Sequence, residues 1–180
     1  MRVVIVLLLS LIVAQAEDAV TRSWPIPGTQ LAMAVPAVWT AVSEHAGSAI
    51  VLRSGMPAGK SGDAAERARG IIAVAVQAVK DEQPLAFFVR CRSDLERTAT
   101  GLELGTMEEK MLGGRTWRKL PYRLQVGQFT FAQVLYTTVI DGTGICITCS
   151  STAENMATWQ ADFAAAIDSL GRSRLTIDLK

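Results

Sequence analysis

Residues 129–151 read FTFAQVLYTTVIDGTGICITCSS, and this stretch decides the fold. Two runs rich in β-branched and aromatic residues flank Asp141-Gly142, a dipeptide that is typical of two-residue hairpin turns. The stretch therefore predicts a long antiparallel β-hairpin. The apolar faces of a sheet built on such a hairpin must be covered, so we expect helices elsewhere in the chain to pack on it.

The second strand of this hairpin carries Cys146 and Cys149, whose C-x-x-C spacing also occurs in redox and metal sites. On a strand, however, the two Cα atoms lie about 10 Å apart and the side chains point to opposite faces. A disulfide needs Cα atoms within about 7 Å, so these two cannot bridge. The turn places Thr137 opposite Cys146 and Val134 opposite Cys149. Cys149 then shares a face with Val134 and Tyr136, and that face is apolar enough to be core.

Strand patterns precede the hairpin. Residues 31–35 and 48–54 read as short strands, and residues 70–79 read as a central strand covered on both faces. Residues 101–125 predict two strands joined at Gly113-Gly114. Between these strands, Gly55–Gly70 reads as a loop with one helical turn around residues 64–68.

Two segments have helical periodicity. The first is expected to be capped by Asp81, with Pro84 in its first turn. Its predicted buried stripe is Leu85, Phe88, Cys91 and Leu95. The second is expected to begin at a capping box formed by Ser151 and Glu154 and to end at Gly171. The apolar face predicted for this second helix consists of Met156, Trp159, Phe163, Ile167 and Leu170.

This order of elements predicts an α+β fold in which helices pack on a largely antiparallel β-sheet. The segments LAMAVPAVW (31–39) and GGRTWRKLPYRL (113–124), the hairpin, and a closing helix containing AAIDSL (165–170) together resemble the PsbP/DcrB/LpqN-like superfamily. The resemblance covers roughly residues 31–170. It implies an α/β/α sandwich that acts by binding and has no shared catalytic set, so no functional residue carries over. Gly55–Gly70 is longer than the pattern requires.

The best candidate for a partner-binding surface lies on the strand that follows Gly113-Gly114. Basic side chains gather there around two aromatic ones, and such groups can bind an acidic surface or an anionic ligand. The alternative is a solvated strand whose aromatic residues belong to the core. The candidate residues are Arg115, Trp117, Arg118, Lys119, Tyr122 and Arg123.

Three cysteines allow at most one bridge within the chain. Cys91 lies in the predicted buried stripe of the first helix, which must pack on a face of the sheet. It could therefore form a disulfide with either Cys146 or Cys149. The alternative is three buried free thiols, because unpaired cysteine is among the most buried residue types.

The N-terminus is typical of a secretory signal peptide, because Arg2 precedes a short apolar run and a small-x-small site ending at Ala16. We expect cleavage after residue 16 and a single exported domain at residues 17–180, periplasmic or secreted. No later stretch is long and apolar enough to span a membrane. Loss of Arg2 leaves equal numbers of basic and acidic residues, which argues against nucleic acid as a partner.

Three tempting motifs are rejected. GMPAGKSGD has one residue too few between its first glycine and GKS for a phosphate-binding loop, and it contains a proline. His45 is the only histidine, so a histidine-based zinc site is excluded and an exposed turn is expected. Glu108 and Glu109 are neighbours on a strand and so point to opposite faces. We expect no metal and no cofactor.

The sequence thus favours an exported, non-enzymatic binding or accessory protein whose partner is a protein or an envelope component. An envelope hydrolase or a thiol-redox enzyme is the first alternative, and it requires a cleft with convergent polar groups or a reactive cysteine. A small-ligand carrier is the second, and it requires a deep apolar cavity between sheet and helix.

Overall fold

The computed structural model describes residues 20–42 and 49–172. The predicted signal peptide and its cleavage site lie outside these ranges, as does His45. Within them, no helix is long and apolar enough to cross a membrane.

The chain forms two sheets and three helices in the described ranges. The strands are β1 (Thr21–Pro25), β2 (Leu31–Pro36), β3 (Thr40–Val42), β4 (Ile50–Arg53), β5 (Ile71–Ala78), β6 (Thr100–Leu104), β7 (Glu108–Leu112), β8 (Arg115–Val126), β9 (Phe129–Ile140), β10 (Thr143–Thr152) and β11 (Gly171–Arg172). The helices are α1 (Gly62–Arg67), α2 (Pro84–Thr98) and α3 (Met156–Asp168).

The main sheet has eight strands, in the order β3-β4-β5-β10-β9-β8-β6, with β7 also paired to β8. Every pairing in the described ranges is antiparallel. The predicted hairpin is confirmed as β9–β10, with Asp141 and Gly142 both at positive φ (48° and 73°), as its tight turn requires. Cys146 pairs with Thr137 and Cys149 with Val134, so the predicted register is also confirmed.

Each face of the main sheet has its own core cluster. On one face, α3 and the small β1-β2-β11 sheet cover a large cluster that contains Trp39, Trp117 and Ile147. On the other, α2 covers a smaller cluster that contains Phe88 and Leu120. The predicted α+β fold with helices packed on an antiparallel sheet is therefore confirmed.

Both long helices begin later than the sequence indicated. Asp81 does not cap α2, because it has a positive φ of 54° and the chain becomes helical only at Pro84. Ser151 does not start α3, because β10 continues through it and pairs it with Ala132. The N-cap of α3 is Asn155.

Residues 21–25 form β1, which pairs with β2. Two further expectations need correction. Leu85 is expected in the buried stripe of α2, but its exposed fraction is 52%. The central position of β5 is as expected, but on its α2-facing side Ile71 and Ala73 are only half-buried and Gln77 is exposed.

Candidate functional site

A cleft lies between α3 and the outer strands β6 to β9, and we call it the α3 cleft. Its volume is about 580 Å³, within the range of ligand-binding pockets. Its sides are formed by β8 and β9, which are both 12-residue strands, and by α3. The segment after β6 is held in place by Gly105, whose N–H donates to the carbonyl of Pro121 (2.8 Å).

The floor of the α3 cleft is apolar. Val134 and Tyr136 contribute from β9, Cys149 from β10, and Met156 and Phe163 from α3. Burial alone raises the pKa of the Cys149 thiol far above its ordinary value. This cysteine is therefore a neutral, apolar part of the floor at physiological pH.

The rim of the α3 cleft carries three basic side chains. Lys110, Lys119 and Arg123 line it, against Glu103 as the one acidic lining residue in the described ranges. Two acidic residues outside the lining bind two of the cations, through ion pairs between Lys119 and Glu108 (2.9 Å) and between Lys110 and Asp168 (2.6 Å). Arg123 is exposed, and it belongs to none of the ion pairs found among the described residues.

The structure separates the six residues of the predicted partner-binding surface. Lys119 and Arg123 line the rim of the α3 cleft. Arg118 points to the opposite face of β8, where its side chain is 13% exposed and pairs with Glu109. Arg115 lines a separate cavity near β2.

The two aromatic residues of that predicted surface belong to the core. Trp117 is 1% exposed and Tyr122 is 5% exposed. The Tyr122 hydroxyl donates to the side-chain oxygen of Gln133. Neither ring presents a face to a partner in this conformation, so binding through the remaining basic residues stays a prediction.

The prediction that Glu108 and Glu109 point to opposite faces is confirmed. Glu108 pairs with Lys119 on the α3 side of the sheet, whereas Glu109 pairs with Arg118 on the α2 side. They therefore cannot act together as a general acid and base.

The thiols occupy both faces of the sheet. Cys149 is buried beside α3, as predicted, whereas Cys146 faces α2 with its Sγ 3.3 Å from that of Cys91. Cys91 and Cys146 are half-buried rather than fully buried. The hydrogen bond with Cys146, aided by the Arg90 guanidinium, lowers the pKa of the Cys91 thiol, whereas the same contact and burial raise the pKa of Cys146.

The Gly55–Gly70 segment is anchored to the fold rather than loose. Its predicted helical turn is present as α1, with Ala65 and Ala68 buried. The indole of Trp159 donates to the carbonyl of Ala68 (2.7 Å), and Lys60, the lysine of the GKS triplet, donates to Asn155 (2.5 Å). These contacts give Lys60 and α1 a structural role.

Among the described residues, no group of three His, Cys, Asp or Glu side chains could hold a metal ion. Sequence reasoning found two rim residues of the α3 cleft but missed Lys110, Gln133 and the α3 wall. No local pattern marks these positions, because they come together only when α3 packs beside β8 and β9.

Comparisons with known proteins agree with this architecture. No family model matches the chain, and no curated protein matches it in sequence. Among solved structures, cyanobacterial PsbP (CyanoP) from Synechocystis has a TM-score of 0.60 at 15% identity, covering 88% of this chain and 95% of its own. LpqN of Mycobacterium tuberculosis, involved in cell envelope biogenesis, has a TM-score of 0.62 at 14% identity, covering 84% and 90%.

A third similar structure is Mog1p, a Ran-binding protein of Saccharomyces cerevisiae. Its TM-score is 0.57 at 10% identity, and the match covers 86% of this chain and 96% of Mog1p. At these identities the likeness establishes the fold alone. The chain has the PsbP/Mog-like α+β fold, as the sequence resemblance predicted.

Proposed function

We propose that this chain is an exported, non-enzymatic binding protein that holds a segment of a protein partner in the α3 cleft. The observation that carries the proposal is the combination of an apolar floor with basic side chains at the rim of one open cleft of about 580 Å³. One fold neighbour is a Ran-binding protein and another is involved in envelope biogenesis. Both descriptions are compatible with a fold that works through surface recognition.

The chemistry of the cleft suits a segment in which an apolar side chain lies next to a carboxylate. Val134, Tyr136 and Phe163 offer the apolar side chain a dry floor. A carboxylate at the rim would meet Arg123 directly and could displace Glu108 from Lys119. That exchange costs little, because an exposed ion pair of this kind contributes only about 0–1 kcal/mol.

The floor supports a binding role over a thiol-dependent reaction in this cleft. Cys149 is its one sulfur nucleophile in the described ranges, and its raised pKa keeps the thiol protonated near neutral pH. A hydrolase would need an activated nucleophile and a base beside it.

Export rests on the N-terminal sequence. Arg2, the apolar run and the small residues before Glu17 support cleavage after Ala16. Expression in a host with a secretory pathway, followed by N-terminal sequencing of the recovered protein, tests this. A mature chain beginning at Glu17 supports export, whereas a chain that retains Met1 in the cytoplasm contradicts it.

The binding role is tested by using the protein to capture partners from an extract of the source envelope. The amount of partner captured by Lys119→Gln/Arg123→Gln is compared with the amount captured by the unchanged protein. We expect the double substitution to reduce capture by up to about thirtyfold, because each exposed ion pair contributes up to about 1 kcal/mol. The matched control, Arg115→Gln/Arg118→Gln, removes two cations of the same strand that lie outside the cleft and should leave capture unchanged. Loss of capture in the control alone would contradict the proposal.

A small-ligand carrier is the second candidate, because the volume of the cleft also suits a small amphiphilic acid. Native mass spectrometry of the protein recovered from the same extract distinguishes the two. A co-purifying small molecule that is lost with Lys119→Gln/Arg123→Gln would favour the carrier.

A further inference from the structure

Helix α2 lies unusually close to the centre of the sheet. A Cβ atom added to Gly144 of β10 would come within 2.6 Å of the Phe87 ring, so this helix can pack here only because residue 144 is glycine. Phe87 is fully buried at this contact. The Gly144–Phe87 contact therefore sets both the height and the position of α2 above β10.

The close approach determines where two of the cysteines meet. Cys91 follows Phe87 by four residues, about 6 Å along the same face of a helix. Cys146 follows Gly144 by two residues, about 6.6 Å along the same face of a strand. The two steps match in length, so Cys91 lies over Cys146 with the Sγ atoms 3.3 Å apart.

The pair is accessible from solvent. Both cysteines line a cavity of about 300 Å³ beside α2, together with Arg90, Asp94 and Thr148. Cys91 is half-buried rather than enclosed. Its lowered pKa makes it the better nucleophile of the two, since thiolate is the reactive form.

We propose that Cys91 and Cys146 form a disulfide that joins α2 to β10, and that Cys149 remains a free thiol. An S–S bond measures about 2.05 Å, so the sulfur atoms must approach by roughly 1.3 Å from their separation of 3.3 Å. The inference does not depend on what the α3 cleft binds, because the pair lies on the opposite face of the sheet.

The oxidant is a low-molecular-weight or protein disulfide, as oxidising compartments supply. The Cys91 thiolate attacks one sulfur of that disulfide, forms a mixed disulfide and expels the other sulfur as a thiolate. Cys146 then gives up its proton and attacks Cys91 Sγ, expelling the second thiolate. The two cysteines together lose two electrons and two protons, and the oxidant becomes two thiols.

Cys149 cannot take part while the sheet is intact. Its side chain points to the α3 face, where it is 1% exposed and its cross-strand partners are Val134 and Ile72. The sequence left two pairings open, Cys91 with Cys146 and Cys91 with Cys149. The geometry points to the first.

The test starts from the full chain with its thiols reduced and adds hydroxyethyl disulfide, a small neutral oxidant. Free thiols are then counted under denaturing conditions, and blocked peptides are mapped by mass spectrometry. We expect the count to fall from three to one, a loss of about 2 Da in the intact mass, and a linked peptide containing Cys91 and Cys146.

Single substitutions separate the steps. Cys146→Ser should stop the reaction at the mixed disulfide on Cys91, and Cys91→Ser should leave Cys146 largely unreacted. Cys149→Ala should still form the linked peptide. Three thiols remaining free in the unchanged protein, a stable mixed disulfide on its Cys91, or a linked peptide containing Cys149 would each overturn the proposal.

Discussion

The contact between Gly144 and Phe87 gives the most direct test of how α2 is seated. In Gly144→Ala, the new methyl group would lie 2.6 Å from two atoms of the Phe87 ring. That is about 1 Å inside the separation at which carbon atoms attract. Because Phe87 is fully buried in a closely packed core, its ring can relieve the clash only if its neighbours move as well.

The size of the effect follows from two opposing contributions. Overpacking a filled core costs about 1–3 kcal/mol. Replacing glycine by alanine recovers about 0.4–1 kcal/mol by restricting the unfolded chain. We therefore expect the free energy of unfolding of Gly144→Ala to fall by up to about 2.6 kcal/mol.

Urea unfolding followed by tryptophan fluorescence under reducing conditions measures this change. Gly55→Ala is the matched control, because a Cβ at Gly55 meets nothing within 4 Å and the residue has no positive φ. The Gly55→Ala protein should be as stable as the unchanged protein or slightly more stable. Adding Phe87→Leu to Gly144→Ala should cost less than the sum of the two single changes. Equal stabilities of Gly144→Ala and Gly55→Ala would refute the close seating of α2.

Three further outcomes are expected. Oxidation of Cys91 and Cys146 should raise the free energy of unfolding by up to about 4 kcal/mol, because a cross-link between residues 55 positions apart restricts the unfolded chain. An unchanged urea midpoint would contradict the cross-link. Burial raises the pKa of Tyr122 to about 12, so this phenol ionises in the unfolded chain, near pH 10, before it does so in the folded protein. Its contribution to stability is therefore intact below pH 10. The free energy of unfolding should then fall by about 2–3 kcal/mol on account of Tyr122 as the pH rises to 12. The free energy of unfolding of Tyr122→Phe, measured over the same pH range, should lack this part of the decline. Leu85→Ser should change the free energy of unfolding by less than about 0.5 kcal/mol, because Leu85 is 52% exposed. Phe88→Ala should lower it by about 3–5 kcal/mol in the same urea assay. Equal losses would show that the exposed side of α2 has been assigned wrongly.

The hairpin and its register were predictable because a two-residue turn fixes which residues face each other. Once Asp141-Gly142 is placed, every pair down to Cys149 and Val134 follows. The opposite orientation of Cys146 and Cys149 then needs no tertiary information. This is why a motif associated with redox chemistry could be reinterpreted as two separate thiols.

The helix starts and the buried stripe of α2 were less predictable, because tertiary contacts decide them. Phe87 had to lie over Gly144, and that places Leu85, about 200° away around the helix, on the solvent side. Likewise, strand pairing with β9 kept Ser151 in β10 although its sequence suits a helix cap.

The α3 cleft could be predicted only in part. Lys119 and Arg123 stood out because basic and aromatic residues cluster on β8, but the same cluster includes Trp117, which the core absorbs. Which basic residues share a face follows from strand alternation. That the face borders a cleft depends on the packing of α3, which no local pattern encodes.

The central claim is that the partner lies in the α3 cleft, and site-specific photo-cross-linking tests it most directly. The photoreactive amino acid p-benzoylphenylalanine would replace Gln160, which is exposed on the cleft side of α3, or Thr158, which is exposed on the same helix but outside the cleft lining. After irradiation in the source envelope extract, we predict a discrete cross-linked protein from position 160 that position 158 does not give. Equal cross-linking from both positions, or cross-linking from position 158 alone, would contradict the account.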